Sequence, residues 1–244
     1  SHKRMHSDRK FWLCGTAVSL ALIILIRPTN LIAILIPLLW NTGSLSDIRK
    51  NLKSYLTNPN WLALLFISLV VLFVPQMVYW KTLTGEYLFY SYADEGFKYW
   101  NAPKMLQVLL SPQNGWLVYS PVVLLGILGI GWMALEKKTG WSLPLVLLMI
   151  ATYIFGSWWA WWFGGAYGHR CFVEYLPLLA IPMAYAITRL DAISKWLSGT
   201  VAVLFALAVF VNLRMSYMYE GMWDGPTWGW YDYLDKLKEA LMFF

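Results

Sequence analysis

Charge is what this sequence has least of. Only 13% of its 244 residues are Asp, Glu, Lys or Arg, against about 25% in a soluble globular domain. So few charges cannot cover a folded sphere of this size with groups that face water, which excludes a soluble globule. Cysteine is nearly absent, with two residues, so a disulfide-stapled scaffold is excluded as well. Cys14 falls near the cytoplasmic end of its span and Cys171 near the external end of another, most of a bilayer apart and too far to bridge, so both read as small apolar residues. No Gly-rich phosphate loop, Cys/His metal spacing or nucleophile elbow occurs anywhere. That argues against cytosolic nucleotide chemistry, names no metal ligand, and leaves a divalent metal open.

What is present instead is apolar. Hydrophobic residues make up 59% of the chain, with 16 Trp, 15 Tyr and 12 Phe, which is incompatible with disorder. Runs free of charge predict seven helical spans over 11–26, 29–40, 59–80, 116–134, 141–159, 171–188 and 197–213. The runs 59–80, 116–134 and 141–159 are long enough to cross a hydrocarbon core of about 30 Å with ease. The run 29–40 is short, and Pro28 cannot continue the preceding helix without losing a hydrogen bond. Two short helices meeting at Arg27-Pro28 are expected, with one broken helix as the alternative. The fold class is therefore all-α and polytopic. The first apolar run lacks a small-residue cleavage site and leads into further spans, so it is not a signal peptide. A start at Ser1 rather than Met suggests a processed product or a piece of something longer.

The net charge of +6 is distributed for orientation in a membrane, not for nucleic acid. Segments 1–10, 41–58, 135–140 and 189–196 hold 11 of the 19 Lys and Arg within 42 residues, whereas the alternate segments hold 8 within 79. The positive-inside rule then puts the N-terminus in the cytoplasm and the C-terminus outside. Residues 1–213 form a transmembrane domain, and 214–244 an external tail. Within the external loop 81–115, Asn101-Ala102-Pro103 suggests a helix start. Residues 104–110 supply an apolar stripe too short to cross, suited to lying in the interface. In the tail, Leu234, Leu237 and Leu241 recur at helical spacing beside Asp235, Lys236, Lys238 and Glu239, which suggests a second surface helix.

Charges at the edge of a membrane are costly and mark candidate sites. Three groups lie at the external end. In Gly164-Gly165-Ala166-Tyr167-Gly168-His169-Arg170, the glycines permit a sharp turn and close backbone approach. Arg170 adds a permanent cation whose planar fork suits phosphate, and His169 adds a donor. Glu174, at i, i+4 from Arg170, is placed to steady the guanidinium. Anion binding and a purely structural Arg–Glu pair are both open readings. Arg27 either holds a lipid phosphate or snorkels to the headgroups. Asp94 and Glu95, in Ala93-Asp94-Glu95-Gly96-Phe97-Lys98-Tyr99-Trp100, are acid/base or weak metal-ligand candidates, or else solvated loop acids. The run Trp158-Trp159-Ala160-Trp161-Trp162 reads as an interfacial aromatic belt, an explanation that needs nothing extra, although aromatic faces also stack on sugars.

The succession LIRPTNLIAILIPLLW, GEYLFYSYADEGFKYWNAPKMLQVLLSPQNGWLVYSPVVLLGILGI and WWFGGAYGHRCFVEYLPLLAIPMA resembles the C-terminal part of bacterial GT-C membrane glycosyltransferases. These are relatives of the protein O-mannosyltransferases and the lipid A aminoarabinose transferases, and the resemblance spans about residues 11–213. It implies a GT-C-like fold in the bacterial inner membrane. It implies transfer of a sugar from a polyprenyl-phosphate carrier to a glycan, lipid or protein acceptor on the external face, with no role for nucleic acid. Arg27, Tyr167, His169 and Arg170 then resemble the residues that hold the carrier phosphate, and fixed cations there would stabilise the departing phosphate. In the family the catalytic acid follows the first span, where this chain has only Arg27-Pro28, so the general base goes unnamed. Two other classes need the same external cations or none: a transporter or flippase of an anionic lipid, and a non-catalytic membrane scaffold. Six of the seven spans carry no charge, Glu174 lying in the other, and no internal repeat is visible, which weighs against transport.

Overall fold

The structure is a computed structural model that describes residues 2–90, 92, 94–221, 223, 225 and 227–242, with side chains from Phe11 onward. Among the described residues there are helices and no strands. The chain divides into two compact units, Ser1–Glu95 and Gly96–Phe244.

The first unit begins with α1, His2–Ile26. Pro28 forbids the α conformation to the residue before it, and Arg27 is accordingly extended, with φ −150° and ψ 111°. A 3-10 helix, Pro28–Ile34, then runs directly into α2, Leu35–Leu39. Ala33 and Ile36 pack beside Ala17 and Leu20 of α1, so the chain folds back on itself at Arg27-Pro28. Helix α3, Leu45–Leu56, starts with a reciprocal cap in which Asp47 N donates to Ser44 Oγ (3.3 Å) and Ser44 N to Asp47 Oδ2 (3.0 Å). None of its residues is buried. Asn58 caps α4, Pro59–Thr84, by accepting from Trp61 N at 3.2 Å. Trp61 completes the core of this unit, its ring edge-on to Tyr55.

The second unit contains α5 (Met105–Leu110), α6 (Trp116–Tyr119), α7 (Val123–Leu135) and α8 (Ser142–Ser157). A second 3-10 helix, Arg170–Tyr175, leads into α9 (Leu176–Ile193), followed by α10 (Lys195–Met218) and α11 (Trp230–Leu241). Its frame is the α7–α9 pair. A Cβ added at Gly126 would meet Leu179, one at Gly129 would meet Pro182, and Glu136 bonds Arg189. Each pair is separated by 53 positions, and only parallel helices in register keep such an offset. At Gly129 the added Cβ would fall 1.8 Å from the Pro182 carbonyl oxygen. The two backbones therefore touch, as small residues allow in membrane helices.

Three helical stretches are long and apolar enough to cross a membrane: Pro59–Thr84, Arg170–Ile193 and Lys195–Met218. At 26 residues, α4 spans about 39 Å at 1.5 Å per residue, more than a bilayer core. The run 116–134 is not one helix. Ser120 leaves the helical region (φ −139°, ψ 59°) ahead of Pro121, and α7 begins only at Val123. Helix α7 keeps 13 residues and α8 16, shorter than the roughly 20 a full crossing takes. These two, with Phe11–Ile26 and Pro28–Leu39, form a shorter apolar class.

The surface helices differ from the expected outlines. Asn101 caps nothing, since α5 starts at Met105 with no side-chain cap. It docks on the end of α8, where Lys104 N donates to Gly156 O at 2.8 Å and Val108 is fully buried. Helix α11 buries Tyr233, Leu237 and Ala240 against Tyr119, Met215 and Trp223, so the tail shares the core of this unit. Leu234 and Leu241 stay exposed.

Candidate functional site

The second unit has two differently built ends. At one end α7 and α9 begin while α8 and α10 finish, and four irregular segments gather over them: 96–104, 111–115, 158–169 and the described residues of 219–229. The first is zipped to the end of α8 by Tyr99 N to Ser157 O and Trp159 N to Gly96 O, both 3.0 Å. The hydroxyl of Tyr153 adds a bond to Trp100 O at 2.6 Å.

Asn114 organises the centre. It is completely buried and holds φ +59°, a conformation that asparagine tolerates better than most residues. Its Nδ2 donates to Trp162 O at 3.2 Å, and its Oδ1 accepts Gly168 N–H at 3.1 Å. One side chain thus ties together both arms of the glycine turn. Gly165 (φ 77°) and Gly168 (φ 75°) take left-handed conformations, in keeping with the turn expected from the sequence. At Gly168 any Cβ would also press on Tyr119, 3.1 Å away. Phe163, at φ 44°, holds a strained conformation for a bulky residue. Its ring is fixed against Phe155, Trp158 and His169.

The predicted residues take up contrasting positions in this layer. Tyr167 points into the fold. Its hydroxyl donates to Asn212 Oδ1 of α10 at 2.8 Å, and its ring lies against Tyr119, Tyr219 and Trp223. Burial pushes its phenol above the ordinary tyrosine value, so it stays protonated as a donor. His169 is also buried, ringed by Phe155, Phe163 and Phe172, with Nε2 3.1 Å from the Trp161 carbonyl. An N–H on that nitrogen donates to the oxygen, which closes the loop 161–169. Arg170 is exposed and opens the 3-10 helix. Glu174 is exposed on the same element. With 3.0 residues per turn instead of 3.6, positions i and i+4 are rotated about 120° apart, so the α-helical spacing read from the sequence does not hold here.

Arg27 lies in the first unit, half-buried at the corner between α1 and the 3-10 helix, while the glycine turn belongs to the second. Asp94 and Glu95 are exposed at the end of the first unit, and Ala93 lies outside the described residues. The tryptophans 158–162 form a half-buried irregular segment, with Trp158 edge-on to Phe97 and Trp161 edge-on to Trp162. Among the described residues no three His, Cys, Asp or Glu side chains cluster to hold a metal ion. Neither cysteine forms a disulfide; Cys14 is exposed and Cys171 buried.

Several residues that build this end were not singled out from sequence. Tyr119 donates to Pro112 O at 2.6 Å, and Trp228 Nε1 reaches the same carbonyl at 3.1 Å. Gln113 Nε2 donates to Gly225 O at 3.0 Å. From sequence alone, Ser111-Pro112-Gln113-Asn114-Gly115 reads as the end of the 104–110 helix. The Asn-Gly pair within it was the available signal, because that pair favours positive φ. The contacts with Gly225 and Trp228, more than 100 residues away, leave no local trace.

At the opposite end, Glu136 accepts from Arg189 Nε at 2.6 Å and from the Tyr185 hydroxyl. These two donors hold its carboxyl below the usual carboxylate range. The pair is partly exposed and clamps the ends of α7 and α9.

The architecture is thus that of an all-helical protein with membrane-length apolar helices and an aromatic, hydrogen-bonded layer at one end of its second unit. No family model, curated protein or solved structure matches the chain.

Proposed function

We propose that the chain is a GT-C-like membrane glycosyltransferase, or its C-terminal portion, that binds the lipid carrier. It would use a sugar on a polyprenyl-phosphate carrier and deliver it to an acceptor on the external face of the bacterial inner membrane. The observation that carries this reading is the exposed Arg170 on a turn that is fixed from beneath. The turn stands where a 24-residue apolar helical stretch begins, at the level where the phosphate of a membrane-borne carrier would sit.

In this reading Arg170 supplies the cation and the bidentate fork. Tyr167 and His169, whose polar atoms engage Asn212 and the Trp161 carbonyl, hold the turn rigid so that the guanidinium needs little reorganisation when charge develops on the leaving phosphate. Arg27, in the first unit, is a separate candidate for a lipid phosphate, and Glu174 is an acid on the 3-10 helix that Arg170 opens. The four shorter apolar helices complete a seven-span topology with the N-terminus in the cytoplasm, as the basic segments favour.

The test is binding of a polyprenyl phosphate to the protein in nanodiscs, with the matching polyprenol as control, followed by sugar transfer. Native protein should bind the phosphate form and raise its thermal midpoint, whereas Arg170→Ala should lose at least tenfold in affinity while inserting normally. Equal binding of phosphate and alcohol, or an unaffected Arg170→Ala variant, would reject the reading in favour of a scaffold. Binding with outward movement of the lipid and no transfer would favour a flippase.

A further inference from the structure

The segment that follows α4 presents large side chains with little to cover them. Leu88 is 74% exposed, and Tyr87, Phe89, Tyr90 and Tyr92 are each about half exposed. Helix α4 ends at Gly85 in a left-handed cap with φ 80°. Lys81, one turn before that end, donates to Gly85 O at 2.5 Å and sets its ammonium 5.0 Å from the Tyr87 ring centre. Residues 81–87 are therefore drawn into a knot at the helix end, and the aromatic segment starts at that level and not at the tip of a long loop. Beyond it the Tyr90 hydroxyl donates to Glu95 O at 2.7 Å, and the Tyr90 and Tyr92 rings lie 5.8 Å apart.

Helix α4 tells what covers this segment. Its most apolar stretch is only 11% buried, and Phe66, Val71, Val78 and Leu83 project outward along its length. That surface suits lipid, and the exposed rings continue it past the helix end. A sugar-binding platform would pair ring faces with carboxylates or amides. Within 87–90 the most exposed side chain is a leucine and the polar groups are phenols, flanked by Lys81 and the exposed Glu86 at the helix end, the pattern of a membrane–water boundary.

We propose that residues 87–90 are an interfacial anchor. Their side chains sit in the headgroup zone of the leaflet at the C-terminal end of α4, with the Lys81 ammonium facing lipid phosphates. The inference requires only that α4 spans the bilayer, and it stands whether or not the chain transfers sugars.

Spin labelling tests it on the whole protein in phospholipid vesicles. In a Cys14→Ser background, with Cys171 buried and unreactive, Leu88→Cys is labelled with a nitroxide. Val71→Cys in mid-helix and Lys238→Cys on exposed α11 serve as references. Collision with oxygen and with a water-soluble nickel chelate reports depth. The label at 88 should lie between the two references, about 5–10 Å into the headgroup–acyl boundary, with an oxygen-to-nickel ratio several-fold above that at 238. Three results would overturn the proposal: nickel access equal to that at 238, shielding from both reagents as under a protein partner, or a depth equal to that at 71. Leu88 is exposed, so the labelled variant should fold; an unshifted thermal midpoint checks this.

Discussion

Helices α9 and α10 are almost equally apolar in composition yet play different structural parts. The stretch Arg170–Ile193 has one third of its most apolar window buried, whereas the corresponding window of Lys195–Met218 has none. The cause lies in the partner and not in the helix itself. Gly126 and Gly129 of α7 let α9 approach to backbone contact at Pro182. Helix α10 has no such glycine facing it, and meets α9 through Val201 and Phe205. It is anchored mainly near its end by Asn212 and Met215. Hydropathy measures compatibility with lipid. Burial depends on whether a neighbour can come close enough to replace the lipid, and only small residues permit that at this range.

The contrast is broken most severely by filling the α7–α9 contact. Gly129→Val would drive a side chain into the Pro182 carbonyl, and should cost about 3 kcal/mol or more. Loss of a monodisperse folded species in detergent chromatography, or a steep fall in thermal midpoint, is the readout. Gly131→Val meets open space and should remain close to native, which separates the contact from a general intolerance of bulk. Similar stability of the two variants would refute the backbone-contact account.

Next in size is Asn114→Ala. It strands Gly168 N–H and Trp162 C=O inside the layer, so a loss of about 2–4 kcal/mol is expected from two unmet hydrogen bonds. Thermal unfolding reads the stability. Faster proteolysis confined to 158–170 would show that the glycine turn loosens first. Uniform proteolysis, with no early cut there, would argue that Asn114 supports the fold at large.

The clamp at the opposite end should matter less. Because its donors hold the Glu136 carboxyl below the usual range, the native state favours the ionised form. The stabilisation is therefore full above the unfolded carboxylate value, about pH 4.3, and is lost as pH falls below it through the folded value. Glu136→Gln should lower the midpoint modestly at pH 7 and flatten its acid dependence. A variant as acid-sensitive as the native protein would assign that sensitivity elsewhere. The smallest effect is expected on the outer face of α10. Val203→Ala and Leu204→Ala, both well exposed, should each change stability by about 0.5 kcal/mol or less. A loss of several times that would reveal a protein partner where lipid is now the natural neighbour.

Parts of this arrangement could be read locally and parts could not. The break at Arg27-Pro28 was legible because proline acts on the residue beside it. The glycine turn was legible because positive φ is a property of one residue. The run 116–134 read as a single span because its composition is continuously apolar, and Pro121 was outweighed by the surrounding pattern. Arg170 and Glu174 read as neighbours only on the assumption of an α-helix. The stripe on α11 was legible as an amphipathic face, but that Tyr233 and Ala240 would join Leu237 in the core of the second unit was not.

Composition and periodicity by themselves determined that this chain is helical, with helices apolar enough for contact with lipid, since both follow from what each residue can tolerate next to water or hydrocarbon. Which helix would be enclosed, that Asn114 would hold the turn, and that His169 would sit among phenylalanines and not at a surface were decided only by tertiary structure. Those outcomes depend on pairs of residues far apart along the chain, and no local preference encodes the distance between them.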